Sequence, residues 1–525
     1  MAKQLYYGGN IITMEGEDAE AVLVQDGRIL RTGTFEEMKC SAGPNTQFID
    51  LIGNTLLPGL IDSHSHITAF AQTLSLVQLS DAKSFDEIVE KISAFRLENK
   101  LRDTDWISGF GYDHNFLKEK MHPDKTLLNQ FPNPIVIAHA SGHMGIMNQA
   151  ALDAVEINAD TPDPQGGKIG RFSGSTEPNG YLEETAFTSA SAKIPKPTID
   201  EMEKQLVKAQ DIYLSYGITT AQDGLTRKAE WNLLQTACKH KSLKMDLVSY
   251  IDLEQCHNLA KQNYQYLKNY QNRLKIGGYK IFLDGSPQGR TAWMSTPYEG
   301  DTYCGYPVHS DKQVVTFMKT AVDENIQILV HCNGDAAAEQ MIDSYQKVFE
   351  PQKNIRPVMI HAQLVRNDQL KRMAELSMTS SFFTAHTWYW GDIHLKNFGK
   401  QRADYISPAK DAILHGVNYT FHQDTPVIMP DMLETLWCAV NRISKNGVLM
   451  GKEQKITVYE ALKGITINAA YQYFEENRKG SIKAGKLADF VILDKNPLET
   501  APEELRNIRV LQTIKEGEVI YERRI

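Results

Sequence analysis

The stretch Thr55-Leu56-Leu57-Pro58-Gly59-Leu60-Ile61-Asp62-Ser63-His64-Ser65-His66 ends an apolar, strand-like run on two histidines. Residues i and i+2 of a strand point to one face, so His64 and His66 aim two imidazoles at one place. Neutral imidazole is a common metal ligand. Alone, a His-x-His pair also describes two solvated histidines. Here the apolar run places the pair where a buried strand emerges.

Outward from this segment, strand-like runs recur at 55–61, 218–222, 245–251, 277–283, 326–330, 357–360, 378–383 and 418–421. Helical patterns lie between several of them. Leu206, Ala209, Ile212, Tyr213 and Tyr216 fall on one helical face before Gly217, and Thr457 with Glu460 forms a capping-box pattern. Strand–helix alternation of this length predicts an α/β fold, a (β/α)8 TIM barrel over 55–479. A doubly wound open sheet is the second choice. Residues 70–200 read as an insertion covering the barrel mouth, with strand-like pieces at 106–111 and 135–139 and a Pro/Gly/Asp-rich loop from 160 to 180. Both ends carry short β patterns, including a hairpin around Asp26-Gly27. Residues 1–54 and 480–525 are expected to form one small β-sandwich.

The other strand ends repeat the first. His331 follows Leu329-Val330, His361 follows Met359-Ile360, and His422 and Asp424 follow Phe421. The C-terminal rim of barrel strands is where functional residues gather. Lys280 sits inside an apolar strand between Tyr279 and Ile281. A charged, unpaired lysine is costly there. Either it pairs with an acid such as Asp284 or Asp223, or its neutral amine takes up carbon dioxide as a carbamate, an oxygen ligand able to bridge two metals.

Bulk properties restrict the partners. Of 525 residues, 42% are hydrophobic and 23% charged, with a net charge of −9, so nothing asks for nucleic acid. There is no apolar run long enough to span a membrane and no signal-like start. Six scattered cysteines read as reduced thiols, and a cytoplasmic location is expected. A homodimer is compatible with the sequence, which does not set the oligomeric state.

The order His64-x-His66, Lys280, His331, His361, Asp424 resembles the amidohydrolase superfamily. The segments Ser141-Gly142-His143, Lys280-Ile281-Phe282-Leu283-Asp284-Gly285-Ser286 and His331-Cys332-Asn333-Gly334-Asp335 resemble its amidohydrolase-3 branch, of YtcJ-like and N-substituted formamide deformylase-like chains. The resemblance spans nearly the whole chain. It implies a divalent metal centre, two zinc ions by donor chemistry, held by His64, His66, Lys280, His331, His361 and Asp424, with Lys280 carboxylated. Manganese, iron or a single ion stay open. It further implies hydrolysis of a carbon–nitrogen bond in a small-molecule amide, an N-substituted amide or formamide, by a metal-activated hydroxide. Asp424 would act as general base and then acid.

His143 is a candidate for carbonyl polarisation, and Tyr112, Asp113, His114, Arg290, His386 and Trp390 are candidate substrate contacts. Arg290 has a second reading, holding Asp284 in place. His422 stands where relatives often carry a small residue, and its role is open. A cyclic amide or ureide substrate is the alternative, and a regulatory protein that keeps the barrel without turnover is another.

Overall fold

The computed structural model describes residues 3–16 and 19–524. Its central sheet holds eight parallel strands: β1 (Leu60–Ile61), β2 (Ile218–Thr226), β3 (Asp246–Asp252), β4 (Leu274–Phe282), β5 (Gln327–Cys332), β6 (Val358–His361), β7 (Thr379–Phe382) and β8 (Asn418–Phe421). Spatial order equals chain order. A doubly wound sheet needs a reversal of order at a switch point, and none occurs.

The sheet curls, so that its outer strands approach at their C-terminal ends. There the Ser63 hydroxyl donates to the Phe421 carbonyl at 2.9 Å, and the Asp424 N–H donates to the His64 carbonyl at 3.2 Å. Among the described residues no ladder pairs β1 with β8. The strands are buried almost throughout, as a parallel sheet covered by helices requires.

The helices carry their expected signals. The Thr457 hydroxyl accepts from the Glu460 N–H at 3.2 Å, and the Glu460 carboxylate accepts from the Thr457 N–H at 2.8 Å. This capping box opens the helix Val458–Gly464. The helix Ile199–Ser215 buries Leu206, Ala209 and Tyr213, and Gly217 takes a positive φ of 82° just beyond it.

The run 55–61 is two strands and not one. Thr55–Pro58 pairs with Asn10–Ile11 and with Phe490–Leu493, and only Leu60–Ile61 joins the parallel sheet. Between them a Cβ on Gly59 would lie 2.5 Å from the Thr219 side chain, so the chain passes from one sheet to the other only through glycine. The break expected between 54 and 55 therefore falls at Gly59.

Two small sheets use the terminal segments. Gln4–Tyr7, Ala21–Gln25, Arg28–Gly33 and Gln47–Asp50 form one. Asn10–Ile11, Thr55–Pro58, Phe490–Leu493, Val510–Lys515 and Glu518–Glu522 form the other. Tyr6, Val22 and Val24 of the first share an apolar cluster with Leu56, Phe490 and Ile514 of the second.

Ala71–Gln205 is a compact unit of its own. It has a six-stranded sheet, with Ile135–His139 between Ile107–Tyr112 and Met144–Met147. The stretch 160–180, expected as a loop, holds the strand Gly167–Arg171 and the start of its antiparallel partner Pro178–Glu184. Its glycines and prolines hide the alternation that buries Ile169 and Leu182. No helix of the described residues is long and apolar enough to cross a membrane. The six cysteines are all free thiols.

Candidate metal centre

The C-terminal ends of β1, β4, β5, β6 and β8 bring His64, His66, Lys280, His331, His361 and Asp424 together. Ligand atoms of His64, His361 and Asp424 lie within 4.8 Å of one another, a group that could hold a metal ion. Asp424 Oδ1 is 3.5 Å from His64 Nε2 and 3.4 Å from His66 Nε2. His331 Nδ1 and His361 Nε2 are 3.1 Å apart. Lys280 Nζ is 3.5 Å from His64 Nε2. His361 and Asp424 take left-handed φ values of 72° and 54°, a strain that recurs at functional sites.

Hydrogen-bond partners decide which nitrogen of each imidazole carries its hydrogen. The Gln222 amide nitrogen donates to the Ser63 carbonyl at 2.9 Å, which turns the Gln222 oxygen toward His64 Nδ1, 2.6 Å away. That oxygen only accepts, so Nδ1 holds the hydrogen and Nε2 keeps its lone pair. His331 Nε2 lies 2.9 Å from the Asn333 amide nitrogen and 3.2 Å from the Gly285 carbonyl, a donor and an acceptor, so these contacts do not select its tautomer.

His361 is set by a longer chain of contacts. The Ser63 hydroxyl donates to the Phe421 carbonyl, so at its 3.0 Å contact with Ser381 it can only accept. Ser381 therefore receives a hydrogen from His422 Nδ1 at 2.8 Å. His422 Nε2 is then the acceptor for His361 Nδ1 at 3.1 Å, and His361 Nε2 is left bare. The lone pairs of His64 and His361 thus turn inward.

Burial sets the charges. It lowers the His64 and His361 rings well below the ordinary imidazole range and His331 to about 4, so all three are neutral near pH 7. Asp424 is pushed up by burial, but His66, His422 and Lys280 outweigh that and hold its carboxyl below the usual range. Its Oδ1 is buried without a hydrogen-bond partner. Lys280 is fully buried, which pushes it down to about 7.

Lys280 pairs with neither acid weighed from sequence. Asp223 accepts from the Thr68 and Thr226 hydroxyls, each at 2.6 Å. Asp284 accepts from the backbone of Asn333, Gly334 and Trp293 at 2.7–3.0 Å, and burial still pushes it up to about 7.

The remaining candidates divide. Arg290 does not hold Asp284; it pairs with Asp301 at 2.6 Å and lies over the Tyr298 ring. Five loop residues, 285–289, separate Arg290 from Asp284. His386 is buried, 2.9 Å from His394, and packs between Phe383 and Trp390. Phe383 in turn packs on His422 with ring centroids 5.3 Å apart. Trp388 leaves this group to pack on Trp437. Tyr112, Asp113, His114 and His143 belong to the unit Ala71–Gln205. There His143 is exposed and 3.0 Å from Glu184.

Gln222, Ser63 and Ser381 were not foreseen. Each is an uncharged polar residue in a buried segment whose partners come from other strands.

The family model described as Amidohydrolase family matches residues 47–521. YtcJ of Bacillus subtilis (strain 168) is 29% identical, over 99% of this chain and 100% of its own. N-substituted formamide deformylase of Arthrobacter pascens is 28% identical, over 100% of this chain and 99% of its own. Among solved structures, an uncharacterized metal-dependent hydrolase from Pyrococcus furiosus is similar with a TM-score of 0.76 and 24% identity, covering 95% of this chain and 100% of that one.

Proposed function

Because the chain belongs to the amidohydrolase family, hydrolases of carbon–nitrogen bonds, we propose that His64, His66, Lys280, His331, His361 and Asp424 hold two divalent cations, zinc by their nitrogen and oxygen donors, and that the substrate is an N-substituted amide or formamide. One observation carries the metal reading. The lone pairs of His64 and His361 and the Asp424 Oδ1 face one buried place, with His66 and Lys280 as the neighbouring nitrogen groups. A cation fits that donor set. The formamide reading is supported by the similarity to N-substituted formamide deformylase along the whole chain.

Bound there, a divalent cation supplies Lewis acidity toward a carbonyl and acidifies water toward about pH 7. The residues do the rest. Asp424, ionised by its cationic and imidazole neighbours, accepts the proton of the attacking water and returns it to the leaving amine. Lys280 loses its proton readily near pH 7. Its neutral amine would add carbon dioxide, forming an N–C bond and releasing one proton, and the carbamate would supply an anionic oxygen ligand. We read the two small terminal sheets, which share one apolar cluster, as the layers of a β-sandwich.

The test combines metal analysis with a screen of N-formyl and N-acyl amines for amine release. About two equivalents of metal and release from the formamides support the reading. A folded protein that binds no divalent metal overturns it, and release from cyclic amides alone moves the substrate class.

A further inference from the structure

We propose that the unit Ala71–Gln205 carries a divalent-metal site of its own, formed by Asp113, His114 and His139. Asp113 and His114 directly follow the strand Ile107–Tyr112, and His139 ends the neighbouring parallel strand Ile135–His139. A register shift at Ala138/His139 re-aims the His139 side chain toward the first strand's end.

The spacing suits a small tetrahedral ion. His114 Nδ1 lies 3.3 Å from His139 Nε2, Asp113 Oδ1 lies 3.5 Å from His139 Nε2, and the third edge is 3.8 Å. An ion with bonds of about 2.0–2.1 Å sets tetrahedral ligand atoms about 3.3 Å apart. Two imidazoles and one carboxylate are a donor set for zinc or a similar first-row cation, with a fourth position for water.

The surroundings hold each ligand in place. Asp113 Oδ1 accepts from the Asn115 N–H at 2.9 Å. The His114 ring stacks on His122 with centroids 4.0 Å apart, and His122 Nδ1 is tied to the Tyr112 hydroxyl at 3.0 Å. His139 Nδ1 accepts the Ser141 N–H at 3.1 Å and lies 3.0 Å from the Ser141 hydroxyl. Metal at Nε2 requires the ring hydrogen at Nδ1, where the Ser141 hydroxyl oxygen accepts it and the Ser141 N–H gives up its bond to the ring.

This site does not rest on the reading of the barrel centre, and the test separates them. Metal-free full-length protein is titrated with zinc alone. The His114→Ala/His139→Ala variant is expected to bind about one equivalent less than wild type, whatever the barrel centre holds. Asp113→Asn, which keeps the size of the side chain, is expected to weaken the same equivalent. Zinc should also slow hydrogen exchange in peptides covering 107–115 and 135–143 of the wild type, and not in the double variant. Equal zinc counts in wild type and double variant, or unchanged exchange in those peptides, overturn the proposal and leave a hydrogen-bonded His–Asp–His cluster.

Discussion

His64 Nδ1 lies 2.6 Å from the side-chain oxygen of Gln222, and this contact turns the His64 lone pair toward Asp424. Among the described residues Gln222 hydrogen-bonds His64, Ser63, Ser65 and Tyr473, and it selects the His64 tautomer that can bind. Gln222→Leu is therefore expected to weaken zinc binding about 10–100-fold, the usual effect of losing such a partner. A competition titration with a chelating dye measures it. Unchanged affinity would show that His64 needs no orienting partner.

The chain from Ser63 through Ser381 and His422 ends on His361. Ser381→Ala removes the acceptor of His422 Nδ1 and lets His422 present either nitrogen to His361. Zinc affinity should fall about tenfold, while Ser381→Thr, which keeps the hydroxyl, should retain most of it. Equal affinities for the two variants would remove the serine from the relay.

The proposed ligands are legible in the sequence because each ends an apolar run: His331 after Val330, His361 after Ile360, Asp424 just past Phe421. The residues that orient them are not. Gln222 and Ser381 lie within strands, where hydropathy shows only a small dip and partners come from other strands. Gly59 was equally silent, since an unbroken apolar run looks the same whether it serves one sheet or two. Arg290 misled because sequence proximity favoured Asp284, while the loop folds back to bring Asp301 closer.

Lys280 gives the metal-free protein a distinctive pH dependence. Its ordinary value is 10.5, and burial lowers it to about 7 in the fold. Between these values the unfolded chain holds a proton that the folded chain does not. Stability therefore rises with pH across this window, by about 1 kcal/mol per pH unit. Urea unfolding of metal-free protein in buffer free of carbon dioxide should show that slope, and Lys280→Met should lack it. Other lysines contribute equally to both proteins and cancel. Parallel curves for the two would mean that Lys280 is charged in the fold. With metal and bicarbonate restored, Lys280→Ala should lose metal and activity and regain part of both with short carboxylic acids.

Asp246, at the start of β3, ties the parallel sheet to the terminal sheet. Its Oδ2 accepts from Lys515 Nζ at 2.7 Å and from Lys479 Nζ at 2.5 Å, and Lys515 also reaches Asp489 at 2.7 Å. All of these groups are buried. Burial pushes the Asp246 carboxyl up, and the two lysines outweigh it and hold it well below the usual range. Its contribution is full above about pH 4 and is lost as pH falls toward the depressed folded value. Asp246→Asn leaves two buried lysines short of one anion and should cost about 3–5 kcal/mol near pH 7. The deficit should shrink in acid, because wild type then loses the same charge. Asp246→Asn combined with Lys515→Met removes the stranded cation as well and should be less destabilised than the two single changes summed. Chemical unfolding at two pH values measures both. An Asp246→Asn protein within about 1 kcal/mol of wild type would place the connection between the sheets in their shared apolar core instead of in this charge cluster.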